Sequence, residues 1–113
     1  MLDELQELAN SGADFNECDN NGENYLIRAS KKKNLSLVKF LIQNTDQINK
    51  ENTKGLTALY YATKFESLDL IKILVQSGAI ISDEIYMLSI HNNMKKVTLF
   101  FDSFDTNKKI FKR

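Results

Sequence analysis

The chain has 113 residues, enough for one small domain, and its 15 basic and 15 acidic residues give a formal net charge of zero. A neutral balance provides no global attraction to nucleic acid or to an anionic membrane. The single cysteine excludes an intrachain disulfide. Neither a long apolar run nor a hydrophobic leader is present. We therefore expect an intracellular, cytoplasmic protein, or one that acts in a host cell if it comes from a virus or is a secreted effector.

The first residues predict a helix with one apolar side. Leu2, Leu5 and Leu8 recur at helical spacing, whereas two glutamates between them place charge on another side. The chain is built of repeats, as described below, and a charged outer side is typical of the terminal unit in a stack of repeats. We therefore expect residues 1–16 to form an N-terminal capping half-repeat.

The stretch DFNECDNNGE that follows suggests either a calcium-binding loop or a turn. If its glycine, Gly22, is placed at position 6 of a calcium loop, positions 1, 3 and 5 fall on Glu17, Asp19 and Asn21. Position 12, which requires a glutamate, is then Arg28, and a cation there excludes the calcium site. Asp19 and the asparagines after it tolerate tight backbone geometry and Gly22 allows a positive φ, so the stretch predicts a tight turn instead.

Two helices are predicted after each of two such turns. The first helix of each pair carries Leu and Ala three residues apart, in NYLIRASKK (24–32) and in TALYYATKF (57–65). The second helix has a broad apolar stripe, in LSLVKFLIQN (35–44) and in LDLIKILVQS (68–77).

These elements repeat with a period of 33 residues. The shift aligns Gly22 with Gly55, and it also aligns the apolar residues of the paired helices. The predicted repeats are 17–49 and 50–82, each a helix, a turn, a second helix and an extended turn. Neither helix buries its apolar side alone, so the repeats must stack.

A shortened repeat is predicted at residues 83–104. The run NNMKKVTLFF (92–101) matches KNLSLVKFLI (33–42) at an offset of 59, so seven residues are missing relative to two full periods, and the hairpin is lost. The tail 105–113 is expected either to fold back over this repeat or to form an exposed docking or dimerisation segment.

The stretch DNNG (19–22) has the form of a D-x-x-G turn, KGLTALYYATKFESLDLIKILVQSGA contains T-x-L-x-x-A and an apolar second helix, and NSGADFN contains G-A-D-x-N. With these features the chain resembles the ankyrin repeat family from residue 1 to about residue 82. The resemblance implies an all-α ankyrin-repeat solenoid of stacked helix-turn-helix units with short hairpin turns, a truncated first repeat and a last repeat without a hairpin.

Residues that support catalysis or metal binding are few and scattered. One histidine, His91, and one cysteine, Cys18, cannot form a Cys/His zinc site. The four glycines are dispersed among predicted turns, so no loop can hold a phosphate. We expect no enzyme activity, no cofactor, no metal and no small-molecule substrate.

The resemblance implies a partner-binding surface on the concave side, made by the hairpin tips and the exposed side of each first helix. The matching positions are Asn20, Asn21, Glu23, Arg28, Lys31, Lys32, Thr53, Lys54, Leu56, Tyr61, Lys64 and Phe65. Arginine and large aromatic residues are typical interface anchors. We therefore expect a protein partner with an acidic surface or segment.

The function implied by the resemblance is protein–protein interaction without catalysis, as a small inhibitor, an immunity-type protein or a subunit. An alternative is a structural homo-oligomer that assembles through the terminal repeat and the aromatic C-terminal tail. A third hypothesis is nucleic-acid binding through Arg28, Lys31, Lys32, Lys33 and Lys64, and the zero net charge argues against it. No membrane association is expected.

Overall fold

The computed structural model describes residues 17–104, and within them the chain is entirely helical, with six helices and no strand. The helices are α1 (Tyr25–Lys31), α2 (Leu35–Ile42), α3 (Ala58–Lys64), α4 (Leu68–Gln76), α5 (Asp83–His91) and α6 (Lys95–Phe104). This confirms the all-α solenoid. The predicted half-repeat 1–16 and the tail 105–113 lie outside the described residues.

The first helix of each pair begins at a capping side chain. Asn24, Thr57 and Ser82 each accept a hydrogen bond from the backbone amide three residues further on, at 2.9, 3.2 and 3.2 Å. Each of these bonds satisfies an amide that has no partner within its helix. The starts of α1, α3 and α5 are therefore fixed locally, by one polar residue each.

The turn inside each helix pair has the same geometry in all three pairs. Lys33, Glu66 and Asn93 have positive φ values of 56°, 56° and 55°. The amide of Lys33 donates to the carbonyl of Ser30, and the next amide donates to the carbonyl of Ala29. The other two turns repeat this pair of bonds, which closes the end of the first helix and starts the second.

The turns correct the register predicted for the last repeat. Lys33 and Asn93 occupy equivalent turns and lie 60 residues apart, whereas two full periods span 66 residues. Six residues are therefore missing from the last repeat, rather than seven. The predicted offset of 59 aligned Leu41 with Phe100. In the structure the equivalent of Leu41 is Phe101, which is fully buried, whereas Phe100 is only partly buried.

The helices form two rows with the core between them. The first helices α1, α3 and α5 contact one another in sequence, and the second helices α2, α4 and α6 do the same. Residues 43–57 connect α2 to α3 and include a hairpin, whereas only residues 77–82 connect α4 to α5. The last described repeat therefore has both helices and no hairpin, as predicted.

The first hairpin (residues 19–23) and the second hairpin (residues 52–56) each contain a glycine, and the two glycines differ in their surroundings. Gly22 has a φ of 73°, and a Cβ atom there would lie 3.1 Å from the backbone nitrogen of Thr53 in the next hairpin. Gly55 has a φ of 78°, but the nearest atom that an added Cβ would meet is Oε1 of Glu51, at 4.0 Å. Only the first glycine is therefore packed tightly against another hairpin of the described chain.

We expect Gly22→Ala to lower the free energy of unfolding more than Gly55→Ala. Both substitutions place a Cβ in the left-handed region, which costs about 1–2 kcal/mol. Only Gly22→Ala also forces the two hairpins apart. Urea denaturation of both variants measures the difference, and equal losses would contradict the close contact between the hairpins.

Candidate functional site

Both hairpins are closed by the same side-chain turn. Oδ1 of Asp19 accepts hydrogen bonds from the amides of Asn21 and Glu23, at 2.9 and 3.0 Å. Asn52, one period later, accepts the equivalent bonds from the amides two and four residues further on, at 2.9 and 3.0 Å. The stretch around Gly22 is therefore a turn of the kind predicted.

The two hairpins pack side by side. The carbonyl of Asn21 accepts a hydrogen bond from the amide of Thr53 at 2.9 Å. The side-chain amide of Asn52 also reaches back to the first hairpin and donates to Oε2 of Glu23 at 3.2 Å. One backbone bond and one side-chain bond thus hold the tips at a fixed spacing.

Glu23 is a predicted contact residue that the structure places in the interior. It is 5% exposed. Its carboxylate accepts bonds from Nζ of Lys31 at 3.1 and 3.2 Å, in addition to the bond from Asn52. A buried carboxylate requires such partners, so Glu23 supports the surface and has little area to offer a partner protein.

Tyr61 is a second predicted contact residue that is buried. The sequence places it on the exposed side of its helix, but it is only 7% exposed. Its hydroxyl group lies 2.9 Å from the side-chain amide of Asn52, which donates to it, and its ring packs edge-to-face with Tyr60. The expectation of an exposed tyrosine is therefore wrong, because this hydrogen bond draws the ring inward. Nζ of Lys31 lies 5.1 Å from the ring centroid.

The residues at one pair of positions interact differently in the two repeats. In the first repeat, Nε of Arg28 lies 3.9 Å from Oδ2 of Asp19. One period later the same positions hold Tyr61 and Asn52, which form the neutral hydrogen bond just described. The guanidinium of Arg28 also lies 4.7 Å from the ring centroid of Tyr25, a residue that the sequence did not identify as part of this surface.

The electrostatic environment of the first hairpin favours the charged form of Asp19. The amide of Glu23, which donates to its carboxylate, lowers the pKa of Asp19 below its ordinary value of 3.8. Desolvation opposes this shift, while the amide of Asn21 and the positive charges of Arg28 and Lys31 contribute to it.

Three lysines of the predicted surface have no carboxylate partner within residues 17–104. Lys32, Lys54 and Lys64 are exposed and form no ion pair there. Phe65 is 39% exposed, and its ring lies 5.8 Å from Nζ of Lys33. We call the three unpaired lysines and Phe65 the basic face. The other predicted residues are exposed or half-buried: Asn20, Asn21, Arg28, Lys31, Thr53 and Leu56.

The described part of the chain offers neither a metal centre nor a membrane span. Between residues 17 and 104, no three His, Cys, Asp or Glu side chains are grouped to hold a metal ion. None of the helices in that range has the length and apolar character needed to cross a membrane.

Stacked helix pairs and adjoining hairpins define a helical-repeat protein. A family model described as ankyrin repeats in three copies matches residues 1–85, and the chain belongs to the ankyrin repeat family. Ankyrin repeats are generally protein–protein interaction modules and are typically non-catalytic. None of the curated proteins compared with the chain matches it.

The free energy of unfolding should change with pH because it depends on the charge of Asp19. Asparagine occupies the equivalent position in the second hairpin, so Asp19→Asn keeps the turn. Because the folded-state pKa of Asp19 is lowered, its charge contributes stability above pH 3.8, and this contribution is lost as the pH falls toward the folded-state pKa. We expect wild type to be more stable than the variant at neutral pH and the gap to close in acid.

Urea midpoints measured from neutral pH to below pH 3.8 test this expectation. Glu17→Gln removes an exposed carboxylate that takes no part in the turn and serves as the control. A gap between wild type and Asp19→Asn that stays constant with pH would refute the assigned role of the charge.

Proposed function

We propose that the chain is a non-catalytic protein-binding module whose partner contacts the basic face. The observation that carries this proposal is that one lysine of the predicted surface pairs with a carboxylate, whereas the lysines of the basic face do not. Lys31 is neutralised by Glu23, whereas one period later the position of the glutamate holds Leu56, and Lys64, the equivalent of Lys31, has no carboxylate partner within residues 17–104. The unpaired lysines of a neutral chain favour a partner with an acidic surface or segment.

The proposal also covers how and where the chain acts. We propose that the chain covers a surface of its partner, as a small inhibitor, an immunity-type protein or a subunit, and that it does so in the cytoplasm. Nucleic acid is a weaker candidate. Of the five cations in that hypothesis, Arg28 and Lys31 lie next to carboxylates, and the net charge is zero.

The experiment is an affinity pull-down from a lysate of the source organism, with bound proteins identified by mass spectrometry. The baits are wild type and the triple variant Lys32→Gln/Lys54→Gln/Lys64→Gln. The three lysines are exposed, so the fold should persist. We expect the variant to lose an acidic protein that wild type retains, and its affinity to fall at least about tenfold, or roughly 1.4 kcal/mol.

A matched control removes three lysines from the second helices. The variant Lys39→Gln/Lys72→Gln/Lys96→Gln changes the net charge equally, and these lysines are also exposed. It should retain the partner. If both triple variants capture the same proteins as wild type, the basic face is not the binding surface.

A second candidate function is self-association through the last described repeat, and one observation favours it. Ile90 of α5 and Leu99 of α6 line the same cavity of about 300 Å³. Leu99 is 66% exposed, and Met87, one helical turn before Ile90, is also exposed. An apolar surface of this kind at the end of a stack can serve as an interface between two copies.

Leu99→Glu tests self-association. If two copies meet through this cavity, the charge would be buried without a partner, so the variant should be monomeric at concentrations where wild type shows a larger mass. Light scattering coupled to size-exclusion chromatography over a range of concentrations measures this. A wild type that remains monomeric throughout would remove the second candidate. Lys96→Glu, at an exposed polar position of the same helix, is the control.

A further inference from the structure

The row of hairpins stops after the second one. The carbonyl of Asn21 in the first hairpin accepts a bond from the amide of Thr53 in the second. The equivalent of Asn21 one period later is Lys54, and no other residue of the described chain donates a hydrogen bond to its carbonyl. Residues 77–82 join α4 to α5 without a hairpin. The outer side of the second hairpin therefore has no neighbouring hairpin within residues 17–104.

A groove lies between the second hairpin and the short connection from α4 to α5. Its volume is about 230 Å³, and its apolar side is formed by Leu56, Tyr60, Ile80 and Ile85. Ile80 is 66% exposed. Sites for complete small molecules are usually about 300–1,000 Å³. This groove therefore suits a few side chains of a peptide better than a complete small molecule.

The charge of the groove is negative. Glu51 and Glu84 are the charged residues among those that line it. Both are exposed, and neither forms an ion pair with another residue between positions 17 and 104. Two unpaired carboxylates beside an apolar wall match a lysine or an arginine, whose aliphatic stem packs on the wall while its cation meets the carboxylates.

The groove is held in shape by the side chain of Asn49. Its Oδ1 accepts a hydrogen bond from the amide of Ile80 at 2.7 Å, and its Nδ2 donates to the carbonyl of Gly78 at 3.1 Å. These bonds fix the short connection between α4 and α5 against the segment that precedes the second hairpin. A partner therefore meets a preformed groove, which reduces the entropy lost on binding.

We propose that this groove binds a turn-forming peptide segment of a partner protein, and that the segment carries a lysine or an arginine. The segment takes the position of the missing hairpin, donates a backbone amide to the carbonyl of Lys54, and directs its cation toward Glu51 and Glu84. The groove is opposite in charge to the basic face, so this inference does not rest on the function proposed above.

The test is a selection from a display library of random heptapeptides closed by a thioether, a linkage that does not exchange with the exposed Cys18. The full chain is the target. Enriched peptides are synthesised, and fluorescence anisotropy measures their affinity for wild type and for Glu51→Gln/Glu84→Gln. We expect peptides that contain Lys or Arg to be enriched and to bind the double variant at least about tenfold more weakly.

Two further variants make the result specific. Glu17→Gln/Glu66→Gln removes two exposed carboxylates outside the groove and should bind the peptides as wild type does. Ile80→Ala removes an exposed part of the apolar wall and should weaken binding without affecting the fold.

The proposal is overturned if no peptide with a basic residue is enriched, or if such peptides bind both double variants equally well. Enrichment of acidic peptides that are insensitive to Glu51 and Glu84 would also overturn it, while supporting the basic face. The two sites can therefore fail independently.

Discussion

The side chain of Asn52 makes the contacts on which the arrangement of the two hairpins depends. Its oxygen closes its own hairpin, and its amide group donates to Glu23 of the preceding repeat and to the hydroxyl of Tyr61. Asn52 and Glu23 are buried, so each polar atom left without its partner would cost roughly 1–3 kcal/mol. One residue thus joins the shape of a turn, the spacing of the hairpins and the inward position of an aromatic ring of α3.

The same contacts decide which charges reach the solvent. In the first repeat, Glu23 pairs with Lys31 and Asp19 lies near Arg28, so two of the five cations of the predicted surface are neutralised. In the second repeat the equivalent positions hold no acid, and Lys64 is left unpaired. The positive character of the surface therefore comes mainly from the second repeat, which supplies Lys54 and Lys64, two of the three unpaired lysines.

The fold could be predicted because stacking imposes a period on apolar and turn residues alike, and the 33-residue shift that aligns Gly22 with Gly55 reflects this. The site could be predicted only in part. A period assigns equivalent positions to the same side of the stack, and Tyr61 is equivalent to the half-exposed Arg28. Tyr61 is buried with a hydrogen bond from Asn52, which lies outside the helix of Tyr61. The residue pattern of a single helix cannot indicate such a partner. The one-residue error in the last repeat has a similar origin, since adjacent phenylalanines fit the pattern equally well and only the turn geometry selects Phe101.

A shortened last repeat changes the surface more than it changes the core. The last helix pair stays in both rows, because α5 and α6 keep the buried residues that stacking requires. The lost residues come from the hairpin, whose role in the other repeats is to cover the neighbouring hairpin. Its absence leaves the second hairpin with a covered side toward the first repeat and an open side flanked by Glu51 and Glu84. A single hairpin thus borders basic residues and an acidic groove, and a chain of zero net charge presents two surfaces of opposite sign.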